Sequence, residues 1–117
     1  NKQNPIEVWG DGKDIRDFIH IDDFVRACIM VMDKVDNYDI FNIGSGIGKS
    51  VDDILFNCME IEGYDTDVTY NSDKPSMIPI RLLDVSKAKN KLGFETEISL
   101  KEGLRKTIEW YKKKYEK

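Results

Sequence analysis

Trp9–Asp23, reading WGDGKDIRDFIHIDD, decides how the rest of the chain is understood. Gly10-Asp11-Gly12 places two glycines around an acid. That suits a hairpin bend, because glycine reaches positive φ without a Cβ clash. A strand-like run follows, with Ile15, Phe18, Ile19 and Ile21 around Arg16, Asp17 and His20. Asp22 or Asp23 then stands as the N-cap of a helix. Val25, Cys28, Ile29 and Met32 recur along that helix at the spacing of one buried face. Arg16 falls just past the glycine turn, with Trp9 and Phe18 as aromatic companions. A guanidinium so placed can grip a phosphate in two-pronged fashion while a ring covers a base. It can equally pair with Asp14 or Asp17 on a solvated edge, and the local pattern leaves both open.

The chain has 117 residues, 40% hydrophobic and 34% charged, which fits one small globular domain with one core. A net charge of -4 argues against nucleic acid as the main partner. It does not argue against a phosphate ligand, which needs only a few local cations. Cys28 and Cys58 fall at apolar positions of predicted helices, with no CxxC and no histidine cluster. Buried free thiols are expected, not a disulfide or a metal site. No apolar run approaches membrane-spanning length and no signal peptide opens the chain, so a cytoplasmic setting is expected.

Outward from the opening stretch, Ile6–Trp9 reads as a short strand leading into the turn. After the first helix, Asp39–Ile43 reads as a strand buried on both faces, running into Gly44–Ser50, GSGIGKS. Ser50 is a good N-cap, with Asp53 completing a relative of the capping box. Val51, Ile54, Leu55, Cys58 and Met59 share one side of the helix that follows, and Gly63 ends it. Thr66–Tyr70 reads as an edge strand, and Asn71–Pro79 as a loop carrying Lys74. Ile80–Asp84 is an extended piece in which Arg81 sits among apolar residues. Asp84 or Ser86 caps a short helix ending at Leu92-Gly93-Phe94. Ser99 with Glu102 makes a capping box for a last helix through Leu104, Ile108, Tyr111 and Tyr115. Lysines at 112, 113, 114 and 117 lie where they complement its dipole.

The glycine loop invites a nucleotide-triphosphate interpretation, because Gly48-Lys49-Ser50 ends like a P-loop. The first required position is Ile43, which fails, and no Walker B strand follows. A dinucleotide fingerprint would need glycine where Lys49 stands. A strand-to-helix turn remains.

GDGKDIRDFIHIDD closely resembles a segment of the extended short-chain dehydrogenase/reductase family, which comprises nucleotide-sugar epimerases, dehydratases and 4-keto-reductases. FNIGSG at 41–46, KP at 74–75, RLLDVSKA at 81–88, LGF at 92–94 and SLKEGL at 99–104 continue the resemblance in order, with Trp110 later. VWG, KP and RLLD are most similar to the GDP-fucose-synthase-like and 4-epimerase branches. The resemblance implies that Arg16 binds the diphosphate of a sugar nucleotide. It implies the same contact for Lys74 or Arg81. Trp9 can stack on or line the base, or equally be buried in packing. The resemblance also implies a small α/β substrate-binding domain, few short strands with about four helices, over residues 1–117.

The family's GxxGxxG turn for NAD(P) and its YxxxK pair are not found. Tyr70 and Lys74 have the spacing, but at a strand end and in a loop. The expectation is therefore the C-terminal portion of an NAD- or NADP-dependent enzyme, without the Rossmann half. It would have no catalytic residue and bind no cofactor alone. It would hold a nucleotide-diphosphate sugar and self-associate through an exposed interdomain face. A P-loop-like nucleotide binder and a non-enzymatic interaction module are the alternatives.

Overall fold

A computed structural model describes residues 4–75 and 78–116. Ser76 and Met77 of the Lys74–Ala88 run, and Lys117 of the terminal lysines, lie outside the described residues. The elements are β1 (Ile6–Trp9), β2 (Ile15–Asp17), α1 (Ile21–Lys34), β3 (Gly48–Ser50), α2 (Val51–Glu62), β4 (Val68–Asn71), β5 (Ile80–Arg81), α3 (Ser86–Leu92) and α4 (Leu100–Tyr115). Two compact units form, one from 1–16 and 48–81, the other from 17–47 and 82–117.

In the first unit β1 pairs with β4 in parallel, Val8 opposite Tyr70 and Trp9 opposite Asn71. Side chains alternate along β1, so Val8 is buried while Glu7 and Trp9 face out. A second sheet runs β3-β2-β5, with β5 parallel to β2. The expected hairpin therefore does not form, since β1 and β2 belong to different sheets. Gly10 and Gly12 do take positive φ, 81° and 75°. Their bend instead delivers the chain to the start of α2, where Asp52 N donates to Gly12 O and Val51 N to Asp14 O. A Cβ on Gly12 would fall 2.0 Å from Asp52 Oδ1, so any other residue there would displace the Asp52 side chain as well as strain the backbone.

α2 follows its sequence signals. Ser50 and Asp53 bond reciprocally as a capping box, and Gly63 closes the helix in the left-handed region. Val51, Ile54, Leu55, Cys58 and Met59 are half-buried together. β5 is shorter than the expected extended piece, and Arg81 is exposed, not embedded, beside Ile80 at 65% exposure.

The second unit is built on Ala27, Ala88, Leu92 and Phe94, with Ile19, Met30, Val31, Val35, Phe41 and Ile43 packed around them. The expected buried face of α1 is corrected here. Val25, Cys28, Ile29 and Met32 are exposed, Met32 at 74%, whereas Asp23 and Ala27 are the buried residues of the helix. Two apolar stripes run along α1, and periodicity alone does not choose between them. The cap is also corrected. His20 is the N-cap, its Nδ1 accepting from Asp22 N at 3.2 Å, because Asp23 is committed elsewhere.

Asp39–Ile43 is irregular and not a strand: Ile40 is 65% exposed, while Phe41 and Ile43 lean on the core. Val85, without a side-chain bond, is the N-cap residue of α3, and Asp84 Oδ1 accepts from Ser86 N at 2.9 Å just ahead of it. Ser99 Oγ accepts from Glu102 N as expected, but the Glu102 carboxylate goes to Arg105, so the box is half made. A guanidinium is the stronger partner for a carboxylate. Tyr111 and Tyr115 are exposed and stack on each other at 4.9 Å. No helix among the described residues is long and apolar enough to cross a membrane.

Candidate functional site

All four residues singled out for phosphate and base recognition, Trp9, Arg16, Lys74 and Arg81, belong to the first unit. Arg16 on β2 and Arg81 on β5 are register partners. In-register residues of neighbouring strands point to the same face, and the strands are about 4.8 Å apart. Arg16 Nη1 donates to Ile15 O and Ile78 O, each at 2.8 Å, and Nη2 to Asp14 Oδ2 at 3.1 Å. The Asp14 pairing that the sequence left open thus forms. The Arg81 side chain has no hydrogen bond or ion pair among the described residues. Asp14 is paired with Arg16, and Arg81 stands in register beside it, so two guanidinium-bearing residues share one face where an anion would find donors.

Trp9 and Lys74 form the second pair. Trp9, at the carboxyl end of β1, is 63% exposed, and Lys74 Nζ lies 5.3 Å from its ring centroid. Lys74 N donates to Asn71 O, which ties the loop back to the end of β4. No hydrogen bond, ion pair or ring contact joins this pair to the arginines among the described residues. Tyr70 and Lys74 do not make a proton-shuttling pair. The Tyr70 hydroxyl donates to Asp52 Oδ1 at 3.0 Å, and that bond pushes the phenol above its ordinary range.

The glycine loop is held by side chains that its sequence did not advertise. Asp17 accepts from Ser45 N at 2.7 Å, Ser45 Oγ at 2.6 Å and Gly46 N at 2.8 Å. These amides, which a P-loop would turn toward phosphates, are engaged by a carboxylate of the protein itself. Asp23 does the same for the 95–98 turn, accepting from Glu97 N at 3.1 Å, Ile98 N at 3.0 Å and Arg26 Nη2 at 2.9 Å. Burial pushes its carboxyl up, but the Ile98 N–H, Arg26 and the Glu97 N–H together outweigh that and hold it below its ordinary range. Sequence spacing does not reveal such clamps, because donors and acceptor are far apart along the chain. Among the described residues no group of carboxylates, cysteines and histidine is placed to hold a metal.

Residues 1–44 match the NAD dependent epimerase/dehydratase family. Over nearly its whole length the chain is similar to proteins named as GDP-L-fucose synthases, nucleotide-sugar 4-epimerases and a dTDP-glucose 4,6-dehydratase. GDP-L-fucose synthase 1 of Arabidopsis thaliana is 33% identical over 113 residues, 97% of this chain and 35% of that protein. UDP-glucose 4-epimerase of Thermotoga maritima, solved with UDP-glucose, is 40% identical with a TM-score of 0.85, covering 95% of this chain and 36% of that one. UDP-glucuronic acid 4-epimerase of Bacillus cereus, solved with UDP-glucuronic acid and NAD, is 28% identical with a TM-score of 0.82, at 95% and 36% coverage. The chain spans about a third of the length of the curated relatives it matches.

Proposed function

We propose that residues 1–117 are the sugar-nucleotide-binding portion of an NAD- or NADP-dependent nucleotide-sugar epimerase, reductase or dehydratase. Arg16 and Arg81 hold the diphosphate, Lys74 adds a third cation, and Trp9 lines or stacks on the base. The observation that carries this is the in-register placement of Arg16 and Arg81 on one sheet face. A diphosphate brings about two negative charges to these cations, which come from separate segments and would fix the sugar for reaction. The nicotinamide cofactor binds outside these residues, and the chain alone turns over no substrate. A cytoplasmic setting belongs to the same proposal.

Titration of the 117-residue chain with UDP-glucose, followed by NMR, tests it. Arg16→Ala and Arg81→Ala should each weaken binding about tenfold, the usual worth of a hydrogen bond to a charged group. Affinity unchanged in both variants, or cofactor-dependent turnover by the unaltered chain, would refute it.

Self-association with a second copy of the chain is a second reading, favoured by the exposed Val25, Ile29 and Met32 on α1. A monomer by light scattering at high concentration would end it.

A further inference from the structure

Arg16 and Arg81 are register partners, yet the protein treats them differently. A guanidinium has five N–H donors, and three of Arg16's are taken by Ile15 O, Ile78 O and Asp14 Oδ2. Two remain among the described residues, enough for one two-pronged contact. Asp14 is itself anchored, because its carbonyl accepts from Val51 N at 3.2 Å. The ion pair is largely shielded, with side-chain exposures of 24% for Arg16 and 21% for Asp14. Arg81 is exposed and has none of these restraints.

We propose that Asp14 is a positioning residue for Arg16, turning its guanidinium into a fixed fork that lets the site tell a diphosphate from a lone phosphate. The proposal rests on the diphosphate reading of this sheet face and adds to it a division of labour. Fixing a free arginine side chain costs rotamer entropy. Here the three acceptors meet much of that cost before a ligand arrives. One phosphoryl group then docks on a preset fork, and the second is met by the freely moving Arg81. A lone phosphate has only one group to offer and gains little from the arrangement. By charge alone Asp14 would weaken any anion site. What it contributes must therefore be geometry, and geometry can be separated from charge by substitution.

The test uses the 117-residue chain, with inorganic pyrophosphate and inorganic phosphate as probes and the arginine Nε–H cross-peaks as readout. The unaltered chain should prefer pyrophosphate about tenfold or more. Asp14→Ala removes both the charge and the acceptor, and the preference should fall about fivefold. Asp14→Asn removes the same charge but keeps a carbonyl acceptor, and should retain most of the preference. Position 14 is half-buried at the surface, where such changes leave folding intact. If Ala and Asn shift the preference alike, Asp14 acts only as a charge and the positioning role is wrong. It is also wrong if pyrophosphate shifts both arginines but the Ala variant keeps the full preference. If pyrophosphate moves neither arginine in the unaltered chain, the diphosphate reading itself fails and this inference goes with it.

Discussion

The two units solve different problems. The second, from 17–47 and 82–117, is packed around Ala27, Ala88, Leu92 and Phe94, all at 2% exposure or less. The first, from 1–16 and 48–81, has Val8 as its buried apolar side chain among the described residues, and is held by strand ladders, a capped helix and glycine bends. Its charged and aromatic side chains are accordingly available to a ligand. Packing concentrates in one unit and candidate chemistry in the other, so substitutions in the two should produce separable effects.

The largest effect is expected from the second unit's core. Phe94→Ala should cost about 4 kcal/mol, against about 2 kcal/mol for Val8→Ala in the first unit. Urea unfolding midpoints measure both, and equal losses would break the contrast.

Next comes the Asp23 clamp. Asp23→Ala leaves the Glu97 and Ile98 amides without their acceptor and takes one of Arg26's, at a cost of about 3 kcal/mol. Because the folded-state carboxyl lies below its ordinary range, its stabilisation is full above about pH 4 and is lost as pH falls through the depressed value. Acid titration of the unfolding free energy should show a step that Asp23→Asn lacks. A pH profile identical in the two proteins would remove the clamp from the picture.

The smallest effect is expected at Lys74. Exposed, with its ammonium against the Trp9 ring, it should weaken UDP-glucose binding about threefold as Ala, with no change in stability. A loss as large as that of either arginine would mean that the second pair, not the first, dominates recognition.

How much of this was legible in the sequence follows the same division. Local signals read true: the Ile6–Trp9 strand, the Ser50–Asp53 box, the half-buried face of α2 and the Gly63 and Gly93 stops depend on neighbours within a few residues. Long-range choices did not. Gly10–Gly12 has the chemistry of a hairpin turn, but strand pairing was decided by segments near 68 and 80. On α1 the more apolar stripe lost to Asp23 and Ala27, because a buried carboxylate with distant amide donors carries no periodic signature. For the candidate site, Arg16 and Asp14 stood out locally. That Arg81 should be Arg16's register partner depends on a parallel pairing between strands separated by most of the first unit's sequence.

The most direct measurement is a double-substitution cycle at Arg16 and Arg81, read as UDP-glucose affinity of the unaltered chain, each Ala variant and the double variant. If both guanidinium groups bind one diphosphate, the two losses will not add, and a coupling of about 1 kcal/mol should appear. Losses that add within about 0.3 kcal/mol, or single variants that bind as tightly as the unaltered chain, would contradict convergence on one ligand.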